Sequence, residues 1–204
     1  MAIILTSDGL SSESIIQQYI YLYDQGLNKA SIVVTADPDY REKDWHAVRT
    51  KEILQSIGFY VDYFDIEFND SKELLKYDVI YFIGGNPFYL LNQINITHTD
   101  NVLKEALKLG KVISGASAGS IVLGTNISLI EEFDPQMNNE VKLINLSSVG
   151  LTEINLCPHY SKFVGRYNNF EERICKVEMH NKMRVTRIND GEALVIDDSS
   201  VIKI

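Results

Sequence analysis

Gly115-Ala116-Ser117-Ala118-Gly119 matches the G-x-S-x-G pattern, in which a serine sits on a tight turn between a strand and a helix. The apolar run Lys111 to Ile113 precedes it, and Ile121, Val122 and Leu123 follow where a helix would bury them. Such a turn exposes the hydroxyl, and small neighbours let backbone approach without a Cβ clash. Ser117 is therefore a candidate nucleophile for acyl transfer, with the amide of Ala118 at a helix N-terminus available to developing negative charge. Taken alone, five small residues suit close packing of a helix on a sheet equally well. A second glycine pair, Gly84-Gly85, closes the apolar run Val79 to Ile83 and is followed by Asn86-Pro87, with Pro87 suited to the first turn of a helix. An amide from Gly84 or Gly85, preferably Gly85, facing that of Ala118 would complete an oxyanion hole of two donors.

A serine hydroxyl is scarcely ionised at neutral pH, so a nearby imidazole must take its proton. Of the four histidines, His46 lies in an amphipathic pattern beside Trp45, His98 in a polar loop and His180 at the end of a polar helix. These three read as surface or packing residues. His159 follows the apolar run Ile154 to Cys157 through Pro158, where the chain is expected to leave a strand end for a loop, and it is the candidate base. The imidazole needs an acid to hold its tautomer. Asp190, in the turn Ile188-Asn189-Asp190-Gly191-Glu192, is the first choice and Glu192 the alternative, with Glu131 and Glu132 more distant.

The elements that must position these residues are legible as short apolar runs with turn residues at their ends. Ala2 to Leu5, Ser31 to Val34, Tyr60 to Phe64, Val79 to Ile83 and Lys111 to Ile113 read as buried strands. Helical spacing covers Ser12 to Gln25, Lys43 to Ile57 and Asn101 to Leu109, stopping at Gly26, Gly58 and Gly110. Strands alternating with helices predict an α/β fold, a mostly parallel sheet with helices on both faces and ligands at the carboxyl ends of the strands. Loops and short strands are expected from Leu129 to Thr152, and a helix from Asn169 to Asn181. Terminal strands are expected at Val185 to Ile188, Ala193 to Ile196 and Val201 to Ile204, with a turn at Asp197-Asp198-Ser199. No linker divides residues 1–204, so one domain is expected.

Composition narrows the function classes. The 204 residues are 45% hydrophobic and 23% charged, as in ordinary globular domains. A formal charge of −9 opposes binding to phosphate backbones. The start Ala2-Ile3-Ile4-Leu5 has no basic flank, long apolar stretch or cleavage pattern, which predicts a cytoplasmic protein without a membrane partner. Cys157 and Cys175 are too few for a disulfide framework. No His and carboxylate cluster has ligand spacing and no phosphate-binding glycine loop occurs, so neither metal nor cofactor is expected.

Together, Phe82-Ile83-Gly84-Gly85-Asn86, Gly115-Ala116-Ser117-Ala118-Gly119-Ser120 and Cys157-Pro158-His159-Tyr160 resemble the peptidase E and cyanophycinase family of serine peptidases. That family is similar in fold to the class I glutamine amidotransferase domain, a flavodoxin-like architecture, but carries serine where the amidotransferases carry cysteine. The resemblance implies Ser117 as nucleophile and His159 as base, and it puts Asp190 where peptidase E has a glutamate before glycine. It puts Phe170 where peptidase E has an arginine that recognises an N-terminal aspartate, so apolar contacts replace acidic ones. Arg173 would reach the site only in another register. Asn86 and Phe170 are thus expected on the substrate side. The implied activity is hydrolysis of small peptides, dipeptidase E-like, through an acyl-enzyme. The alternatives are an esterase or other acyl hydrolase on the same site, or a binding module with an unused elbow. The expected partner is a small peptide substrate, with no nucleic acid, and a homodimer is allowed.

Overall fold

The apolar runs of the N-terminal half become five parallel strands: β1 (Ala2–Thr6), β2 (Lys29–Val33), β3 (Tyr60–Phe64), β4 (Val79–Phe82) and β5 (Val112–Ala116). The structure is a computed structural model that describes residues 2–197 and 200–204. Two further strands, β8 (Ala193–Ile196) and β9 (Val201–Lys203), extend the sheet antiparallel beside β1, giving the order β3-β2-β4-β5-β1-β8-β9. Counted from β2, the parallel strands follow the flavodoxin pattern, with the N-terminal β1 filling the place of the last strand. Of the expected turn at Asp197-Asp198-Ser199, Asp198 and Ser199 lie outside the described residues.

Helices cover both faces. On one side lie α1 (Glu13–Asp24), capped by Ser12, and α2 (Trp45–Ile57), capped by Asp44, whose carboxylate accepts from the Ala47 amide at 2.9 Å. Tyr19 of α1 is fully buried, its hydroxyl 2.5 Å from that of Ser114 on β5, so Ser114 points toward α1. Its neighbour Gly115 must face the other way. There α5 (Ala118–Leu123) presses against the sheet, with α3 (Pro87–Thr97) and α4 (Thr99–Lys108) beside it. A Cβ on Gly115 would lie 2.5 Å from the Gly119 carbonyl carbon, and one on Gly119 would lie 2.3 Å from the Phe82 carbonyl oxygen. The motif glycines thus seat α5 on β4 and β5, which is the packing role small residues suggest, and the serine between them is aimed by that seat.

Backbone meets backbone at Gly119, so no rotamer change can absorb a methyl group. Gly119→Ala is expected to lower stability by about 1–3 kcal/mol or more. Gly165→Ala, where an added Cβ meets nothing within 4 Å, is the control and should be neutral or mildly stabilising. Urea midpoints compare the two, and equal midpoints would contradict the packing argument.

Three expectations need correction. Between Leu129 and Thr152 the described residues hold no strand, only an isolated bridge of Asn126 to Ser147. Instead α6 (Ser128–Phe133) and a 3-10 turn over Pro135–Asn138 form. Leu129, Ile130 and Phe133 are buried at helical spacing within an acidic stretch that hides the pattern. Val185 to Ile188 does not join the main sheet, because β7 (Val185–Arg187) pairs in parallel with β6 (Asn155–Cys157) in a separate two-stranded sheet. After His159 the chain enters α7 (Tyr160–Arg166) rather than a loop. Against α6 and α8 (Phe170–Asn181), residues Leu129, Phe133, Cys157, Phe170, Ile174 and Val177 form a second small core.

Candidate active site

β5 runs past its expected end at Ile113 because Ser114, Gly115 and Ala116 stay in register with Ile4, Leu5 and Thr6. The strand therefore delivers the chain directly to Ser117, whose φ of 47° and ψ of −111° are unusual for a residue with a side chain. The turn is held from both sides. The Ser117 amide donates to Thr6 O at 3.1 Å, and the Ile121 amide donates to Ser117 O at 2.9 Å. Buried Ser120 accepts from the Thr6 amide at 3.0 Å, tying β1 to the first turn of α5.

His159 joins β6 to α7 in the left-handed region, with φ 55°. Its ring lies between two groups: Nε2 is 3.0 Å from Ser117 Oγ, and Nδ1 is 2.5 Å from Asp190 Oδ1. A carboxylate accepts only, so Nδ1 carries the proton and Nε2 turns its lone pair to the serine. Phe163 stands edge-on to the ring, with centroids 5.8 Å apart. The structure thus brings Ser117, His159 and Asp190 into one hydrogen-bonded line.

The Asp190 turn is fastened to its surroundings. Asn189 Oδ1 accepts from the Ser161 amide at 3.0 Å, and the Gly191 amide donates to Asp8 Oδ1 at 2.9 Å. Asp190 Oδ2 lies 2.5 Å from Lys162 Nζ, and Oδ1 also accepts from Ser7 Oγ at 2.7 Å. Partial burial alone would raise the Asp190 pKa. Hydrogen bonds from Lys162, Ser7 and His159, with the charge of His159, outweigh it and hold the carboxyl below its ordinary 3.8. The alternative acid, Glu192, turns away: its carboxylate accepts from the Asn189 amide at 2.7 Å and pairs with Lys203 at 2.7 Å. Those contacts, the amide first, hold it below its usual range as well.

A cleft of about 290 Å³ opens in front of Ser117 and His159 at the carboxyl ends of the strands. Gly85 borders it at φ 137°, where a Cβ would lie 2.3 Å from Ala36 O, so only glycine permits this approach of the β4 end to the β2 end. Among the described residues neither the Gly85 nor the Ala118 amide meets a protein acceptor. Asp8 and Asp37 line the cleft, and so do His46 and Arg49 of α2. His46 is exposed, in line with its reading as a surface or packing residue, and it also forms part of this wall.

Two expected substrate contacts are corrected. Asn86 Oδ1 accepts from the Phe88 and Tyr89 amides at 2.9 and 3.2 Å, and its Nδ2 donates to Met137 O at 2.7 Å, so its polar atoms cap α3. Phe170 is 4% exposed in the second core, stacked on Tyr167, and does not line the cleft. Arg173 is tied to Glu132 at 2.7 Å and lies over Phe133. Ser7 and Lys162 were not singled out in advance. Ser7 follows directly on β1, the strand beside β5, and Lys162 lies one turn beyond His159; the rule that ligands gather at strand ends marks Ser7 only as one strand end among several.

Cys157, two residues from His159, is buried, and burial pushes its thiol up to about 12, so it stays protonated at neutral pH. Among the described residues no cluster of His, Cys, Asp and Glu suits a metal ion, and no helix is long and apolar enough to cross a membrane.

Comparison with known proteins agrees with this architecture. The model of peptidase family S51 matches residues 3–204. The uncharacterized peptidase Lmo0363 of Listeria monocytogenes is 32% identical over 158 residues, 74% of each chain. Peptidase E of Shewanella amazonensis is 25% identical over 158 residues, spanning 74% of this chain and 64% of that protein. A crystal structure of a candidate peptidase E from Listeria monocytogenes EGD-e superposes with a TM-score of 0.74 at 25% identity, covering 100% of this chain and 97% of that one. With its mostly parallel sheet and a family match running almost from end to end, the chain belongs to peptidase family S51 and is a serine-type peptidase.

Proposed function

We propose that the protein hydrolyses short peptides, dipeptides foremost, by acyl transfer through Ser117, His159 and Asp190. The observation that carries this reading is the line from Ser117 Oγ to His159 Nε2 at 3.0 Å and from Nδ1 to Asp190 at 2.5 Å. Ser117 Oγ attacks the peptide carbonyl while Nε2 takes its proton. Asp190 stabilises the imidazolium so formed. The amides of Gly85 and Ala118 hold the oxyanion of the tetrahedral intermediate. Collapse passes the proton from Nε2 to the departing amine and leaves the acyl group on Ser117. Water, deprotonated by His159, then attacks the ester; as the C–Oγ bond breaks, Nε2 returns the proton to Ser117 Oγ and the carboxylic acid leaves.

The cleft volume of about 290 Å³ suits a small peptide rather than a folded chain. Of its three carboxylates Asp44 caps α2, and the other two, Asp8 and Asp37, with the guanidinium of Arg49, suit the two charged ends of a free dipeptide. The test is a panel of free dipeptides, N-acetylated dipeptides, longer peptides and p-nitrophenyl esters. Free dipeptides are expected to give the highest kcat/KM, with acetylation lowering it. Turnover of esters without any peptide would replace this reading with that of an esterase.

A further inference from the structure

We propose that Ser7 is a positioning residue that ties His159 and Asp190 into one closed hydrogen-bonded ring. This rests on the reading of Ser117, His159 and Asp190 given above. Ser7 follows directly on β1 and is fully buried. Its amide donates to Glu192 O at 3.3 Å, so its backbone is fastened to the turn that carries Asp190. Its hydroxyl oxygen lies 2.8 Å from the His159 backbone nitrogen, 2.7 Å from Asp190 Oδ1 and 3.5 Å from His159 Nδ1.

The direction of each bond follows from what the groups can do. A backbone N–H only donates, so the Ser7 oxygen accepts from His159. A carboxylate only accepts, so the Ser7 proton points at Asp190. A hydroxyl has one proton, and with that proton spent on Asp190, Nδ1 cannot accept from Ser7; facing only acceptors, the carboxylate at 2.5 Å and the Ser7 oxygen at 3.5 Å, it carries a proton and donates it to the nearer Asp190. The ring therefore runs from the His159 amide to Ser7, from Ser7 to Asp190, and back through Nδ1–H to the same histidine.

Two consequences bear on the reaction. The ring holds the tautomer that leaves Nε2 free to take a proton, and it braces the amide of a residue held at φ 55°, a conformation that needs support from its surroundings. Lys162 grips the other carboxylate oxygen, but its side chain is 73% exposed, so water competes with that pairing. The Ser7 contact comes from a fully buried residue and is the better shielded of the two.

The test follows reaction of the full chain with a fluorophosphonate probe, in wild type, Ser7→Ala and Ser7→Cys, with folding checked by circular dichroism. Cysteine keeps the volume of the site but its thiol is a weak donor. Both variants are expected to lower the maximal labelling rate by about 10- to 100-fold, with the probe's half-saturating concentration nearly unchanged. The far-downfield proton resonance of the His159 Nδ1–H···Asp190 bond should move in both. In an Asp190→Ala background, adding Ser7→Ala should change the rate by clearly less than it does in wild type, because only the brace on the His159 amide is then left to lose. Ser7→Cys labelling at the wild-type rate would overturn the proposal and reduce Ser7 to packing. So would a full Ser7→Ala effect in the Asp190→Ala background. Folded wild-type protein that fails to label overturns the Ser117 reading itself, and with it this one.

Discussion

Ser117→Ala should lower kcat by about a million-fold while leaving the thermal unfolding midpoint close to that of wild type. The size follows from the absence of another nucleophile at the end of β5. The lack of a stability effect follows from the contacts: among the described residues the hydroxyl's one side-chain partner is His159 Nε2, and the side chain borders an open cleft. Alanine meets the same backbone conformation, φ 47°, at much the same steric cost as serine, so the turn is neither relieved nor further strained. His159→Ala should fall by a similar factor, and the double variant should be little worse than either, because the two groups act as a unit. Steady-state hydrolysis of the best dipeptide, with circular dichroism melts, checks all three. Additive losses would mean that the two residues work separately.

Asp190→Asn should cost about 1,000- to 10,000-fold in kcat, and Glu192→Gln about threefold or less. Among the described residues the hydrogen-bond and ion-pair partners of the Asp190 carboxylate are all donors: Ser7 and His159 at Oδ1, Lys162 at Oδ2. An asparagine must aim its NH2 at one of them. Toward His159 it imposes the wrong tautomer, and toward Lys162 it displaces the lysine while still failing to balance the imidazolium. Glu192, by contrast, accepts from the Asn189 amide and pairs with Lys203, and a glutamine keeps the first of these. The kcat ratio of the two variants on one substrate decides the matter. A larger loss in Glu192→Gln would transfer the acid's role to Glu192.

The sequence exposes what depends on local order and hides what depends on strand order. Apolar runs mark β1 to β5 to within a few residues, and Gly115 to Gly119 marks the turn, because strand periodicity and close packing leave their imprint on neighbouring residues. Ser7 is different. It matters because β1 lies beside β5 and β8, a neighbourhood that no stretch of sequence around it records. The choice between Asp190 and Glu192 stayed open for a similar reason. Two acids on one turn are equivalent by spacing, and only the Gly191 turn at φ 83° separates their directions.

Two misplacements were readable after all. Asparagine before a proline at the first helical position is a capping signal, and that is how Asn86 is used. Phe170, Ile174 and Val177 recur at helical spacing and form the buried stripe of α8, so Phe170 belongs to a core rather than to a substrate wall. The amphipathic pattern of α2 leaves His46 as a surface or packing residue and does not record that it is exposed and looks onto the cleft. The missed α6 shows the opposite failure, in which Glu131 and Glu132 between Ile130 and Phe133 disguise a short helix as a loop.

Whether Ser117 is the residue acylated during turnover is read out by peptide-mapping mass spectrometry of the folded protein after reaction with a fluorophosphonate probe. One adduct is expected, on Ser117, absent in Ser117→Ala and formed far more slowly in His159→Ala. Folded wild-type protein that carries no adduct, or carries it on another serine, would contradict it.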